Sequence, residues 1–280
     1  MQIGVVGLGL IGASMSKALA ALGHTMLGSD TDEHTLRYAE LTGTIARELT
    51  GEDTAELDML ILAVYPQAAV SVLARMAPKL RKDATVLDLC GVKRVVCEPC
   101  FAMAEEYGFT FIGGHPMAGK QYSGIKYASA DLFKGASMIL VPREKEDLFK
   151  VSSVSELMHA VGFATVTLTT PEEHDRMIAF TSQLAHVVSN AYVKSPNARD
   201  LKHFAGGSFR DLTRVAWLNE TMWTELFLEN DDLLGQELDS LIRALSEYRD
   251  ALEAGDAEKL KALLREGRER KEELDAEWKK

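Results

Sequence analysis

Gly7-Leu-Gly-Leu-Ile-Gly12 decides the fold, because it joins an apolar run that begins at residue 2 to a stretch with helical spacing. The run Gln2–Leu8 predicts a β-strand, and Ile11–Leu22 predicts the helix that follows it. Glycines at this spacing allow a tight turn, close approach of the backbone to a pyrophosphate, and close packing of helix on strand. The helix N-terminus then faces the phosphates. The pattern predicts a dinucleotide-binding turn.

An acidic residue closes the second predicted strand. Thr25–Asp30 ends in a carboxylate about 18 residues after Gly12, close to the spacing of about 20 at which an acid binds the ribose hydroxyls of NAD. Asp30 would repel a 2′-phosphate, and no Arg or Lys follows it before Arg37. The sequence therefore favours NAD over NADP. Asp32 competes for the ribose role, but we expect Thr31 or Asp32 to cap the next helix.

The first 170 residues alternate apolar runs with helical patterns, which predicts βαβ units and a parallel sheet. Helical patterns also cover Gln67–Leu80 and Ser152–Val161. From Glu172 onward no strand pattern is found. We therefore predict an α/β fold with a Rossmann-type domain over residues 1–170 and an all-α domain over residues 171–280. The further predicted strands are Met59–Tyr65, Thr85–Cys90, Thr110–Gly114, Ser137–Pro142 and Thr165–Thr169.

Composition excludes several classes of protein. The formal net charge of -11 argues against a nucleic-acid partner, and no apolar run is long enough to predict a membrane span. Three cysteines within eleven residues, and a start that lacks the basic region of a signal peptide, lead us to expect a soluble cytoplasmic protein. Cys97-Glu-Pro-Cys100 has no second pair and no histidine cluster, so we predict no metal site.

Residues at the carboxyl ends of the predicted strands complete the expected cofactor site. Ligands of open α/β sheets bind at this edge, and two segments, Ala63-Val-Tyr-Pro66 and Asp88-Leu-Cys-Gly91, lie there. Together with the glycine turn they form the predicted cofactor-binding set: Gly7, Gly9, Leu10, Ile11, Gly12, Asp30, Ala63, Val64, Tyr65, Pro66, Cys90 and Gly91.

One histidine is the main candidate for chemistry. The run Gly113-Gly-His-Pro-Met-Ala-Gly119 puts His115 at the same sheet edge. An alcohol that is oxidised loses a hydride and a proton, and an imidazole with a pKa near about 6.5 can accept the proton. We therefore predict that His115 is a general base, with glycines that let backbone and substrate approach closely. His24, His34 and His159 are expected to be structural.

These motifs resemble the prephenate dehydrogenase (TyrA) family over nearly the whole chain. The resemblance rests on the glycine turn, Asp88–Lys93, Gly113–Gly119, His174–His186 and Gly206–Ala216, the last reading GGSFRDLTRVA. It implies NAD-dependent oxidative decarboxylation of prephenate to 4-hydroxyphenylpyruvate and CO2 in tyrosine biosynthesis. It also implies a homodimer formed through the helical domain.

The family pattern assigns roles to single residues. His115 matches the catalytic histidine, and Arg214 matches an arginine that binds a substrate carboxylate, for which a guanidinium is suited. Arg210 lies one helical turn earlier and either shares this role or pairs with an acid such as Asp175. His186 matches a second, substrate-binding histidine on a predicted helix, Phe180–Tyr192, whose neighbouring candidates are Ser182 and Gln183.

The chain departs from the pattern at Gly91, where many family members carry a serine that supports the catalytic histidine. Cys90 is one residue away and is expected to point elsewhere, so a water molecule or the Gly91 amide would have to substitute. We expect Lys93 to lie near the cofactor edge, or else to be exposed at a helix start. His174-Asp175 is interpreted as helix-start capping and interdomain bonding.

Alternative functions stay open. Arogenate dehydrogenase, which acts on the amino-acid analogue of prephenate, shares the pattern. A short β-hydroxyacid dehydrogenase would use a lysine base on the helical domain, and the His-Pro-Met-Ala-Gly run argues against it. A non-catalytic NAD-binding sensor is the third alternative, with Gly91 as the mark of lost activity.

Overall fold

A computed structural model describes residues 1–120, 122–143, 148–201 and 203–278. Their strands form one eight-stranded sheet in the order β3-β2-β1-β4-β5-β6-β7-β8. Seven strand pairs make up this sheet, and six of them are parallel. The strands are β1 (Gln2–Val6), β2 (Thr25–Ser29), β3 (Arg47–Glu48), β4 (Met59–Leu62), β5 (Thr85–Asp88), β6 (Thr110–Pro116), β7 (Ser137–Pro142) and β8 (Thr165–Leu168).

The sheet differs from the predicted one in β6 and β7. These two strands are antiparallel, with His115 opposite Ile139, so the predicted parallel sheet is parallel in every strand pair but this one. A parallel partner needs a crossover, usually a helix, whereas the described residues between β6 and β7 form only short 3-10 turns, at Ile125–Tyr127 and Ala130–Phe133. Strand β6 also extends to Pro116, so His115 lies inside the strand.

Helices cover both faces of the sheet. One core cluster includes side chains of α1 (Leu10–Ala21) and α5 (Leu148–Val161), and a second includes those of α3 (Pro66–Met76) and α4 (Arg94–Tyr107). Helix α2 spans Glu33–Leu41. Helix α3 ends before the predicted limit at Leu80 because Pro78 has no backbone N–H to continue it.

The helical part begins with α6 (Pro171–Ile178), passes through a π-helical segment at Ala179–Leu184, and continues as α7 (Ala185–Tyr192). The predicted single helix Phe180–Tyr192 is therefore π-helical in its first turn. Helices α8 (Gly207–Thr213) and α9 (Glu220–Leu228) follow. The chain forms two compact units, Met1–Asn230 and Asp231–Lys280.

The second unit consists of α10 (Asp231–Glu253) and α11 (Ala257–Trp278). Gly255 between them has a φ of 65°, a left-handed conformation that suits glycine. Lys259 and Glu247 form an exposed ion pair across the two helices, with Nζ and Oε2 2.7 Å apart. None of the helices in the described ranges is both long and apolar enough to cross a membrane.

Candidate active site

Three glycines of the turn after β1 are needed for different reasons. Gly7 has a φ of 91°, and a Cβ there would lie 2.4 Å from the Ala63 carbonyl oxygen. A Cβ on Gly12 would lie 1.9 Å from the carbonyl oxygen of Gly7, so the helix could not pack so closely. A Cβ on Gly9 would meet nothing within 4 Å. Gly9 therefore borders open space at the N-terminus of α1, where a phosphate group could approach the backbone.

Substitutions at these glycines should separate packing from ligand binding. Gly12→Ala should lower the free energy of unfolding by about 1–3 kcal/mol, because the added carbon overlaps backbone. Gly9→Ala should leave the unfolding temperature unchanged but weaken NAD binding about tenfold, since the added methyl enters the open space. Thermal unfolding and NAD titration measure the two effects. Equal NAD affinity of wild type and Gly9→Ala would contradict a dinucleotide at this turn.

Asp30 lies beside the glycine turn. Its Oδ2 accepts a hydrogen bond from the Leu8 amide at 2.7 Å, and its Oδ1 accepts one from the Asp32 amide at 3.0 Å. A carboxylate can accept further bonds on each oxygen, so Asp30 keeps capacity for hydroxyl donors. Asp32 caps α2 by accepting bonds from the amides of His34 and Thr35, which confirms that part of the prediction.

The ends of β4 and β5 supply the rest of the predicted cofactor edge. Tyr65 precedes α3, whose first residue is Pro66, and Leu10 and Ile11 are partly buried in the first turn of α1. Cys90 points away from Gly91, since its Sγ donates to the Val64 carbonyl oxygen at 3.4 Å. The three cysteines are buried and free, and burial raises the pKa of each thiol.

The missing side chain at position 91 leaves space next to α9. A Cβ on Gly91 would lie 3.3 Å from Cδ2 of Leu226, a distance that already requires a small shift of the leucine. An apolar side chain therefore borders the position at which many relatives are expected to carry a hydroxyl. Any polar partner of His115 must come from elsewhere in the molecule.

That partner is His174. Nδ1 of His115 and Nε2 of His174 are 2.9 Å apart, and Nδ1 of His174 lies 2.6 Å from Oδ1 of Asp175. His174 and Asp175 are buried on α6, while His115 on β6 is only partly buried. Two imidazoles and a carboxylate thus form a continuous chain from the helical part of the molecule to the sheet edge. Sequence reasoning missed this contact.

Asp175 also holds the N-terminus of α4. Its carboxylate accepts bonds from the amides of Lys93 and Arg94, at 2.7 and 2.9 Å, and from Nε of Arg94 at 3.3 Å. The expected bonding between the two parts of the chain is thus seen. The expected capping of its own helix is wrong, because Thr170 caps α6 by accepting a bond from the Glu173 amide.

Lys93 is fully buried, so the alternative of an exposed residue is wrong. Its ammonium forms an ion pair with Asp88 and donates to the Gly114 carbonyl oxygen at 2.7 Å. Asp88 in turn accepts from the amides of Cys90 and Gly114. Burial opposes the charge of Lys93, but the negative charge of Asp88 outweighs it and raises the pKa of Lys93. The pair joins β5 to β6 immediately before His115.

The two glycines before His115 serve packing. A Cβ on Gly113 would lie 2.7 Å from Sγ of Cys97, and one on Gly114 would lie 2.5 Å from the carbonyl oxygen of Asp88. Both positions therefore require glycine so that β6 can pack closely against α4 and β5. The prediction that glycines near His115 let the substrate approach closely is separate from this packing role.

Both imidazoles are held in their neutral form. Burial lowers the pKa of His115 well below its ordinary value of 6.5, and the charges of His174 and Lys93 lower it further. Burial also lowers the pKa of His174, although the bond to Asp175 opposes that shift. Near neutral pH His115 is therefore an uncharged ring, which can accept a proton.

His186 belongs to a second cluster. Its Nδ1 donates to the Ser182 carbonyl oxygen at 2.8 Å, and its ring stacks on Trp223 of α9 with centroids 4.1 Å apart. Burial lowers the pKa of His186, and the positive charge of Arg214 lowers it further. The second predicted histidine and the predicted carboxylate-binding arginine are thus brought together.

Arg210 and Arg214 end α8 with exposed side chains. Neither forms an ion pair with another described residue, and Asp175 is bonded instead to Arg94, Lys93 and His174.

Gln183 differs from the other candidates. It is buried, its amide nitrogen donates to the Leu226 carbonyl oxygen, and its oxygen accepts from Asn230. The predicted substrate role of Gln183 is not supported, because both ends of its amide bind protein groups.

Comparisons with known proteins point to one family. Residues 15–167 match the family model of the prephenate dehydrogenase nucleotide-binding domain, and residues 170–266 match that of its dimerization domain. The prephenate dehydrogenase of Bacillus subtilis is 29% identical over 266 residues, covering 91% of this chain and 71% of that protein. The cyclohexadienyl dehydrogenase of Zymomonas mobilis is 29% identical over 274 residues, covering 92% and 91%.

Solved structures give the same result. Synechocystis arogenate dehydrogenase superposes with a TM-score of 0.81 at 28% identity, over 98% of this chain and 100% of that chain. Prephenate dehydrogenase from A. aeolicus, in complex with hydroxyphenyl propionate and NAD+, gives 0.82 at 28% identity over 98% of both chains. The chain therefore belongs to the prephenate dehydrogenase family, and it is an NAD-dependent dehydrogenase that acts on prephenate or arogenate in tyrosine biosynthesis.

Proposed function

We propose that this enzyme oxidises and decarboxylates prephenate to 4-hydroxyphenylpyruvate, with His115 as the general base. The observation that carries the proposal is the imidazole of His115 at the carboxyl edge of the same sheet that carries the glycine turn, with its pKa lowered by burial. A neutral ring there can take a proton from a hydroxyl group close to the cofactor.

The chain's own residues fit NAD. The open backbone at Gly9 and the amides that begin α1 would bind the pyrophosphate, and the free lone pairs of Asp30 would accept bonds from ribose hydroxyls. When bound, NAD+ supplies the acceptor for the hydride that leaves the hydroxyl-bearing ring carbon. Asp30 disfavours a 2′-phosphate at the same place by charge repulsion.

His115 would hold the substrate proton only for part of the reaction. It takes the proton of the ring hydroxyl as the carbon is oxidised. The ring carboxylate then leaves as CO2, and the electrons of the broken carbon–carbon bond make the ring aromatic. The proton returns from His115 to the ring oxygen, which becomes a phenol. Because aromatisation drives this step, the protein mainly has to orient the substrate and place charge.

Binding of the dianionic substrate falls to the second cluster. We assign one carboxylate of prephenate to Arg214, which has an exposed guanidinium without a protein ion pair among the described residues and lies close to His186. Arg210, one turn earlier, and the side chains of His186 and Ser182 complete the proposed substrate site. The family description of residues 170–266 as a dimerization domain supports a homodimer, with residues 171–280 as the substrate-binding and dimerisation domain.

A substrate comparison tests the choice of prephenate. Wild type should reduce NAD with a higher kcat/KM on prephenate than on arogenate, whose ammonium group would lie near the arginines. Arg214→Leu should raise the KM for prephenate by roughly 10- to 100-fold, because a bond to a charged group is lost. Arg75→Leu is a matched control, since Arg75 lies in the last turn of α3, away from the carboxyl edge.

Two results would count against the proposal. Equal or better turnover of arogenate would assign the enzyme to that substrate, as in the similar Synechocystis enzyme. An unchanged KM in Arg214→Leu would remove the arginine from the substrate site.

A further inference from the structure

The bond between His115 and His174 has a defined direction. Ionised Asp175 is only an acceptor, so Nδ1 of His174 donates to it. Neutral His174 then carries its lone pair on Nε2 and accepts from Nδ1–H of His115. It follows that Nε2 of His115 carries the lone pair. This assignment of hydrogens follows from the network of acceptors and donors.

We propose that His174, held by Asp175, is a positioning residue that fixes the tautomer of His115 and presents Nε2 of His115 to the substrate hydroxyl. The proposal rests on the function proposed above, in which His115 is the base. It supplies the partner that Gly91 cannot provide, since the chain carries no hydroxyl there and Leu226 borders the gap.

Asp175 is well fixed for this role. Its carboxylate is buried and accepts bonds from two amides at the start of α4 and from Arg94, as well as from His174. The bond to His174 comes first among the interactions that lower the pKa of Asp175, against the effect of burial, so the group stays ionised. A fixed anion keeps His174 in one orientation, and His174 does the same for His115.

The hydrogen-bonded series of His115, His174 and Asp175 can share the positive charge that forms during the reaction. When the substrate proton reaches Nε2 of His115, the ring becomes a cation. Its Nδ1–H can then be shared with Nε2 of His174, beside the Asp175 carboxylate, so that positive charge moves toward a fixed anion. When the product oxygen takes the proton back, both rings return to neutral. No proton is gained or lost over the cycle.

The other charged groups near the two rings are accounted for. On β5 and α4, Asp88 and Lys93 neutralise each other, and the charge of Lys93 lowers the pKa of both histidines. Arg94 faces Asp175. Among the carboxylates of the described residues, Asp175 is the one that bonds to a histidine ring.

Two substitutions of His174 test the proposal. His174→Leu removes the acceptor for Nδ1–H of His115, and kcat with prephenate should fall roughly 100-fold because the base is misplaced. His174→Gln keeps an acceptor in its amide oxygen and should recover most of that loss. The KM for NAD should not change in either variant. His159→Leu, a substitution of a histidine on α5 that bonds only to the Phe163 carbonyl oxygen, is the control and should behave as wild type.

The pH profile adds a readout that a purely structural role would not change. His174→Gln removes the imidazole through which Asp175 stabilises a positive charge on His115. Activity is lost as pH falls and His115 becomes protonated. Without this stabilisation the pKa of His115 should fall, so the acid limb of kcat/KM should move to lower pH in His174→Gln.

The outcomes separate the two proposals. If His115→Gln abolishes activity while His174→Leu keeps the wild-type kcat, or if the Leu and Gln variants lose kcat equally, the positioning role is wrong. If His115→Gln itself stays active, the base assignment is wrong. Should His174→Leu fail to fold, ¹⁵N NMR of wild type decides: Nδ1–H on His115 supports the proposal, and a proton on Nε2 overturns it.

Discussion

His115→Gln should lower kcat for NADH formation from prephenate by roughly 10²–10⁴-fold, the usual contribution of a general base. Glutamine has an acceptor oxygen but cannot take up a proton near neutral pH. The ring of His115 adjoins His174 and the sheet edge, and its pKa is lowered mainly by burial, so wild type should stay active well below pH 6.5. Stopped-flow or steady-state absorbance of NADH measures the effect.

Measurements of NAD binding would show whether the loss of kcat comes from lost chemistry or from weaker cofactor binding. NAD affinity of His115→Gln should equal that of wild type, because we expect the dinucleotide contacts at the glycine turn. The His159→Leu protein serves as the control for loss of a histidine outside the site. A His115→Gln enzyme with kcat within a few-fold of wild type would exclude His115 as the base.

Lys93→Met should destabilise the protein by about 3–5 kcal/mol, because it leaves the Asp88 carboxylate buried without its counter-ion. The change should also free the Gly114 carbonyl oxygen, which the Lys93 ammonium now binds next to His115. Urea unfolding, with the midpoint and slope fitted together, measures the change in free energy.

A double substitution distinguishes loss of charge balance from loss of packing. Asp88→Asn combined with Lys93→Met leaves no unpaired charge, and the single amide oxygen of asparagine can accept from one of the two amides, of Cys90 or Gly114, that now bond to Asp88. This variant should be more stable than Lys93→Met alone. Lys259→Met, which breaks an exposed pair with Glu247, should change stability little. Equal stability of the Lys93 single and double variants would contradict the charge argument.

Much of the fold was predictable because local sequence determines it. Gly7 and Gly12 of the glycine turn meet backbone atoms that any chain folded this way would place there, whereas Gly9 borders open space. The alternation of strands and helices that follows can be predicted from the spacing of apolar residues. The cap of α2 at Asp32 is equally local, since the bonded amides lie two and three residues away.

Features that depend on distant residues were harder to predict. The reversal at β7 follows from the absence of a crossover helix, and the apolar pattern of a strand does not report its direction. Lys93 sits at a helix start that would normally be exposed, and only its pairing with Asp88 and Gly114 allows it to be buried.

The contact between His115 and His174 was also hard to predict, because it joins residues that are distant in the sequence. His174 is 59 residues from His115, and a histidine at the start of a helix most often serves its own helix. The absence of a serine at Gly91 was the available signal that another partner was needed. Gln183 is the opposite case. Its place among the polar positions of a helix suggested a role in substrate binding, whereas its amide bonds to the Leu226 carbonyl oxygen and to Asn230.

A crystal structure with NAD+ and 4-hydroxyphenylpyruvate bound tests the central claim most directly. The phenol oxygen of the product should lie within about 3.2 Å of Nε2 of His115, with the nicotinamide beside the same ring carbon and Arg214 on a carboxylate. His174 should still bond Nδ1 of His115. A phenol oxygen held by another side chain, with His115 out of hydrogen-bonding reach, would contradict the assignment of His115 as the base.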